Sequence, residues 1–233
     1  MLQGTVAWPA ASAARYRAVG LWDGSTLFSV LARSAQRWPN KAALVAGERR
    51  LSYGELQAQA TRLAARLLAL LVVSMKGEGV EQAKIDAIVD EYGLAGHFTP
   101  KEAAFIADQS PSDEQRVQFV WRYEAAWTLL WALGYVDELQ KPTAICDVPA
   151  AVKFLRARTA AQFIAEAKLR PIEEIADAAD LIYRYHWAVV DARVNGDPAP
   201  AGLNADVTME RHYALNWLVG YMDEAWDDVS TDT

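Results

Sequence analysis

The sequence predicts a mainly α-helical protein: a multi-helix globular domain with a small N-terminal α+β appendage that contains one β-hairpin. Three observations predict it. The first is Phe119–Gly134, which holds three of the nine tryptophans at helical spacing and is apolar around most of its circumference. A helix of that kind has to be buried. The second is a series of capped helix starts downstream of residue 50, each pairing a small polar residue with a proline or an acid in the first turn. The third is that extended runs come once, as Ala42–Ala46 and Arg49–Tyr53 around Gly47 and Glu48, which is a hairpin signal.

Taken in order, Trp8 and Pro9 precede a short Ala-rich helical piece with Arg15, Tyr16 and Arg17. Ser25 or Thr26 caps a helix carrying Leu27, Phe28, Val30 and Leu31, which Trp38-Pro39-Asn40 ends. After the hairpin, Ser52 and Glu55 make a capping box and open a helix that runs to Lys76. Gly77-Glu78-Gly79 breaks it, and Val80–Tyr92 forms the next helix with Gly93 as its stop. Thr99, Pro100 and Glu102 start a short helix to Asp108. Ser110-Pro111-Ser112-Asp113-Glu114 starts one central helix that ends at Gly134. A loop from Asp137 to Asp147 follows, and Asp147-Val148-Pro149 opens a helix to about Arg158. Thr159 caps another, and Pro171 begins a long one, Ile172–Val194. The turn-rich segment Asn195–Gly202 cannot continue a helix, and the last helix spans Val207–Asp223. The acidic tail contains Trp226, which is expected to pin it back onto the domain. The chain therefore divides into an appendage, 1–61, and a helical domain, 62–233, of seven or eight helices.

Composition narrows the function. Hydrophobic residues make up 52% of the 233, ample for a core. A net charge of −7 provides no basic face for nucleic acid. The longest apolar run, Leu67–Val73, is far shorter than the ~18 residues of a membrane helix, so no membrane association is expected. The first residues carry no basic and apolar export signal, and a single cysteine, Cys146, excludes an intrachain disulfide. The expected location is the cytoplasm.

Two resemblances add to this. Arg15-Tyr16-Arg17, Lys41–Val45 and Arg50-Leu51-Ser52-Tyr53-Gly54-Glu55-Leu56, with Trp8-Pro9, Gly20-Leu21-Trp22 and Thr26-Leu27, resemble the extreme N-terminus of adenylate-forming enzymes, in particular aryl-acid AMP ligases. The resemblance covers about the first 65 residues and implies an α+β start. It does not extend to the Gly-rich phosphate loop and lysine that adenylation needs, so that activity is not expected. Trp121–Gly134, Cys146-Asp147, Asp180–Val189, Pro200–Asn204, Glu210–Leu218 and the ending Trp226–Thr233 are together similar to the bacterial domain-of-unknown-function family 4272. That resemblance covers about 62–233 and implies a helical domain with no agreed activity.

The candidate site is a set of polar residues on helices that otherwise look buried: Arg122, Glu124, Arg184, His186, Glu210, Arg211, His212 and Asn216, with Asp191 and Arg193 nearby. Buried charges must be paired or neutralised. One reading is a structural ion-pair network. The other is a pocket for a small anion, lined by arginines and tryptophans. The first predicts groups paired off internally with an apolar patch outside; the second predicts unpaired donors converging on an open cleft. No metal is expected, because His97, His186 and His212 form no His-x-x-x-His pair and Cys146 has no second thiol near it. No catalytic residue and no cofactor are assigned. The function expected is a non-catalytic binding or protein-interaction domain, with an unknown protein partner or a small anionic ligand. The alternative is a small-molecule-binding protein or enzyme that uses the Arg/His/Glu cluster.

Overall fold

The computed structural model describes residues 10–20, 27–47 and 49–233. Within them the chain divides into two compact units, 1–59 and 60–233. In the first, α1 (Ala10–Ala18) and α2 (Leu27–Arg37) precede a two-stranded antiparallel sheet of β1 (Ala42–Ala46) and β2 (Arg49–Ser52). The register pairs Ala46 with Arg49 and Leu44 with Leu51, with an irregularity between Ala42 and Leu44. The predicted Ser25/Thr26 cap, Trp8-Pro9, Leu21-Trp22 and the Glu48 turn position lie outside the described residues.

The Ser52 capping box forms as read. Ser52 N donates to Glu55 Oε2 at 2.8 Å, and Glu55 N donates to Ser52 Oγ at 3.3 Å. It opens α3 (Tyr53–Gly77), which continues unbroken past residue 61, so the second unit begins inside a helix.

In the second unit α3 supplies the centre of the core, with Leu67 to Val73 fully buried. Three of its buried polar residues find partners there. Ser74 Oγ donates to the Leu70 carbonyl at 2.8 Å. Lys76 Nζ donates to Gln82 Oε1 and to the Ile106 and Asp108 carbonyls at 2.6–2.7 Å. Arg66 is ion-paired with Glu102. By length and composition α3 passes the test for a membrane-crossing helix, and 75% of its apolar window is buried inside the protein, as in a core helix.

Beyond α3 come α4 (Gln82–Tyr92), α5 (Pro100–Ala107), α6 (Asp113–Val120) and α7 (Arg122–Ala132). These are followed by α8 (Val148–Arg156), α9 (Ala160–Glu166), α10 (Ile172–Asn195) and α11 (Ala205–Val219). Capping boxes at Thr99/Glu102, Ser112/Gln115 and Thr159/Gln162 start α5, α6 and α9. Left-handed glycines, Gly93 and Gly196, stop α4 and α10.

Four boundaries depart from expectation. α4 starts at Gln82, two residues later than expected. The central helix is two helices: at Trp121 the bonding switches to an i−3 pattern, with Glu124 N on the Trp121 carbonyl at 3.0 Å. Just before the break, α6 touches the end of α3. A Cβ on Gly77 would meet the Arg116 carbonyl at 2.8 Å and Val120 N at 2.9 Å, so only glycine permits the approach. The last helix starts two residues earlier than expected, where Asn204 Oδ1 accepts from Asp206 N and Val207 N at 3.1 Å. It ends at Val219, because Gly220 takes φ 69° and two short 3₁₀ turns follow.

The core joins α3, α7, α8, α10 and α11 through Leu67, Leu71, Leu129, Leu130, Leu155, Ile182 and Leu215. The end of α7 is sealed by Arg170. Its Nε donates to the Trp131 carbonyl at 2.8 Å, and its Nη2 donates to the Val136 and Asp137 carbonyls at 2.9 and 2.6 Å. Trp131 is in the last turn of α7, whereas Val136 and Asp137 lie in the loop that follows, so Arg170 clamps the helix end to its exit loop.

Candidate functional site

The polar cluster forms where α7, α10 and α11 meet. Glu124 and Arg211, 87 positions apart, are both buried; Arg211 Nε donates to Glu124 Oε2 at 3.1 Å. Each is bonded a second time, to main chain. Glu124 Oε1 accepts from the Cys146 backbone N–H, and Arg211 Nη1 donates to the Gln140 carbonyl at 2.6 Å. The pair thus holds the loop between α7 and α8 by two backbone contacts. Removing water from two charges is costly, and hydrogen bonds to main chain add to the pairing here.

Arg122 and Glu210 form the second pair, Nη1 to Oε2 at 3.0 Å. Burial pushes the Glu210 carboxyl up, opposed by the Arg122 charge. The guanidinium also lies 4.4 Å from the Tyr213 ring centre. Both residues border a cleft of about 440 Å³ with Glu102, Trp121, Tyr213 and Trp226. Burial raises the Tyr213 hydroxyl to about 12. Its O–H donates to the Trp226 carbonyl, and Asn216 Nδ2 donates to the Ser230 carbonyl at 2.8 Å. Asn216 therefore ties down the tail, and Trp226 is buried, edge-on against Tyr213 and Trp217.

His186 and His212 meet each other. Their Nδ1 atoms lie 2.9 Å apart, which requires one to donate and the other to accept. Burial drives the His212 imidazole down to about 4, with His186 adding to the effect. Burial lowers His186 as well, helped by Arg193. The pair is neutral at neutral pH. Among the described residues no group of three His, Cys, Asp or Glu is placed to hold a metal ion.

Arg184 does not join the others. It lies in solvent, bonded to Asp180 one turn earlier at 2.8 and 3.1 Å. Cys146 is buried, and burial followed by Glu124 holds its thiol well above the ordinary range, the opposite of an activated nucleophile.

Sequence reasoning missed the Arg66–Glu102 pair. Glu102 was visible as a capping residue, and its Oε2 does accept from Thr99 N at 3.0 Å. Nothing local pointed to Arg66, 36 positions away and inside an apolar run. Arg66 Nε and Glu102 Oε1 have no hydrogen-bond partner among the described residues.

No solved structure matches the chain. Its N-terminal segment of about 70 residues is similar to aryl-acid ligases. It is 49% identical over 71 residues to a salicyl-AMP ligase / salicyl-S-ArCP synthetase of Mycobacterium tuberculosis, covering 28% of this chain and 13% of that protein. It is 45% identical over 67 residues to a 2-hydroxy-7-methoxy-5-methyl-1-naphthoate–CoA ligase of Streptomyces carzinostaticus, covering 29% and 12%. It is 41% identical over 58 residues to a vibriobactin-specific 2,3-dihydroxybenzoate-AMP ligase of Vibrio cholerae, covering 25% and 11%. The chain spans about an eighth of the length of these relatives. The family profile of DUF4272, a domain of unknown function, matches residues 31–229 and so takes in the hairpin, all of α3 and every later helix. With most of its length matched, the chain belongs to the DUF4272 family.

Proposed function

We propose that the helical unit is a cytoplasmic, non-catalytic interaction domain whose contact surface is the outer face of α10. One observation carries the reading. The candidate residues Arg122, Glu124, Arg184, His186, Glu210, Arg211, His212 and Asn216 each bond another side chain or backbone, whereas α10 displays large apolar side chains to solvent. Ile172 is 59% exposed, Tyr183 44%, Trp187 53% and Val194 76%. They recur at helical spacing along one side of a 24-residue helix. Large apolar residues grouped on a face, rather than scattered, mark association surfaces, and Trp and Tyr are the residues that carry most binding energy at them.

The ligases' activities belong to whole proteins about eight times longer than the shared segment. Adenylation is not part of this reading, and the N-terminal unit is taken as an appendage. A second reading has one observation in its favour. The cleft beside Arg122 and Glu210 has aromatic walls and a buried carboxylate with a raised pKa, which suits a small organic ligand better than an anion, since Arg122 is already bound to Glu210.

The test is site-specific photocrosslinking of the full chain in cells that express it. Benzoylphenylalanine in place of Trp187 should give discrete crosslinked bands. The same probe in place of Lys84, exposed on α4, should give none. No band from position 187, with the variant folded, would end this reading.

A further inference from the structure

We infer that the partner of the α10 face is a second copy of this chain, bound antiparallel about a two-fold axis at Tyr183. The inference rests on the interaction reading above and goes further by naming the occupant. The face repeats at 172, 176, 179, 183, 187, 190 and 194, in steps of four, three, four, four, three and four. Such a stripe reads the same in both directions about its middle residue. In an isologous pair, where residue i of one copy meets j of the other and j meets i, Tyr183 meets Tyr183. Ala179 then meets Trp187, Ala176 meets Val190, and Ile172 meets Val194.

The side-chain sizes fit that arrangement. Ala176 is exposed and Ala179 half-buried, while Trp187 stands out from the opposite half of the helix. Antiparallel pairing sets the bulky indole of each copy over the small Ala179 of the other. Parallel pairing would stack indole on indole and leave a gap at the alanines, which close packing disfavours.

The charges agree. The exposed pair Asp180 and Arg184 lies on one flank of the stripe, almost centred on the axis. Antiparallel pairing puts Asp180 of each copy beside Arg184 of the other, four charges of alternating sign. Parallel pairing would bring together two N-terminal halves that each hold Glu173, Glu174, Asp177 and Asp180 with no basic residue between 172 and 183. Farther out on the same flank Glu173 and Asp191 come near each other in the antiparallel pair, a solvent-exposed contact that salt screens. The stripe is about 33 Å long at 1.5 Å per residue. A single helix face of that length is smaller than a standard interface, so the dissociation constant expected is of order micromolar.

Two measurements on the full chain test this. Sedimentation equilibrium at up to ~100 µM should show a dimer, and Trp187→Glu or Val194→Glu should weaken it at least ~30-fold without moving the thermal transition of the monomer, melted well below the dissociation constant. Oxidation of Tyr183→Cys should give a covalent dimer, because the introduced thiols face each other across the axis. Ile172→Cys should form no covalent dimer, and Ile172→Cys/Val194→Cys should crosslink. A chain that is monomeric at ~100 µM overturns the inference, as does a dimer that survives both Glu variants, or an Ile172→Cys chain that crosslinks as readily as Tyr183→Cys. If the chain is monomeric but the probe at position 187 captures a different polypeptide, the second-copy assignment falls and the interaction reading stands. If position 187 captures nothing, both fall.

Discussion

The His186–His212 pair makes stability depend on pH in a defined direction. In the native state both imidazoles are neutral, His212 with its pKa lowered from 6.5 to about 4 and His186 lowered too. The unfolded chain takes up protons first as the pH falls. The contribution is therefore complete above about pH 6.5 and is lost between there and about pH 4. At 1.36 kcal/mol per unit, the His212 shift amounts to about 3 kcal/mol, and its near-complete burial means that solvent screening removes little of it. The perturbation is His212→Asn, which removes the titration but leaves an amide where Nδ1 lay, able to bond His186. The assay is denaturant unfolding followed by tryptophan fluorescence at pH 7, 6, 5 and 4.5. At pH 7 the wild type should be the more stable. Its advantage should shrink by about 2–3 kcal/mol by pH 4.5. A difference that stays constant across the series would refute the neutral, bonded pair.

Other outcomes follow from the same geometry. Glu124→Ala leaves the Arg211 charge buried without its partner and should cost about 3–5 kcal/mol, a fall of roughly 10 °C in Tm by scanning calorimetry. Arg184→Ala should leave Tm unchanged, since its pair with Asp180 is fully in solvent. Cys146 should react with a thiol reagent only at the rate of unfolding, because its thiol is buried and held protonated. Gly77→Ala should destabilise through collision with the α6 backbone and show as a lower midpoint in urea.

Helix starts were legible because their chemistry is local. Ser52 with Glu55, Thr99 with Glu102 and Asn204 with Val207 each act within three residues. The Asn204 cap falls between the turn ending at Gly202 and the expected start at Val207, and the proline-rich turn before it masks it. The break at Trp121 was not legible: it accompanies Gly77 packing on α6 from about 40 positions away, and nothing in Phe119–Gly134 signals it. The candidate residues could be named as polar groups on buried helices. Their partners could not, since the Glu124–Arg211, Arg122–Glu210 and His186–His212 pairings span 87, 88 and 26 positions. Arg184 shows the limit of the inference. It sits on the same helix as buried His186 but faces outward, because one step around a helix is 100° and carries a residue from core to water.

The central claim is that the polar cluster is scaffold and the α10 face is the working surface. Its most direct test is photocrosslinking from position 187 in a chain whose buried pair has been replaced by neutral residues of similar size, Glu124→Gln/Arg211→Met. The account predicts the same crosslinked bands as in the unmodified background, provided the helical circular-dichroism spectrum and a cooperative melt are retained. Loss of those bands from a folded variant would contradict it and move function to the cluster.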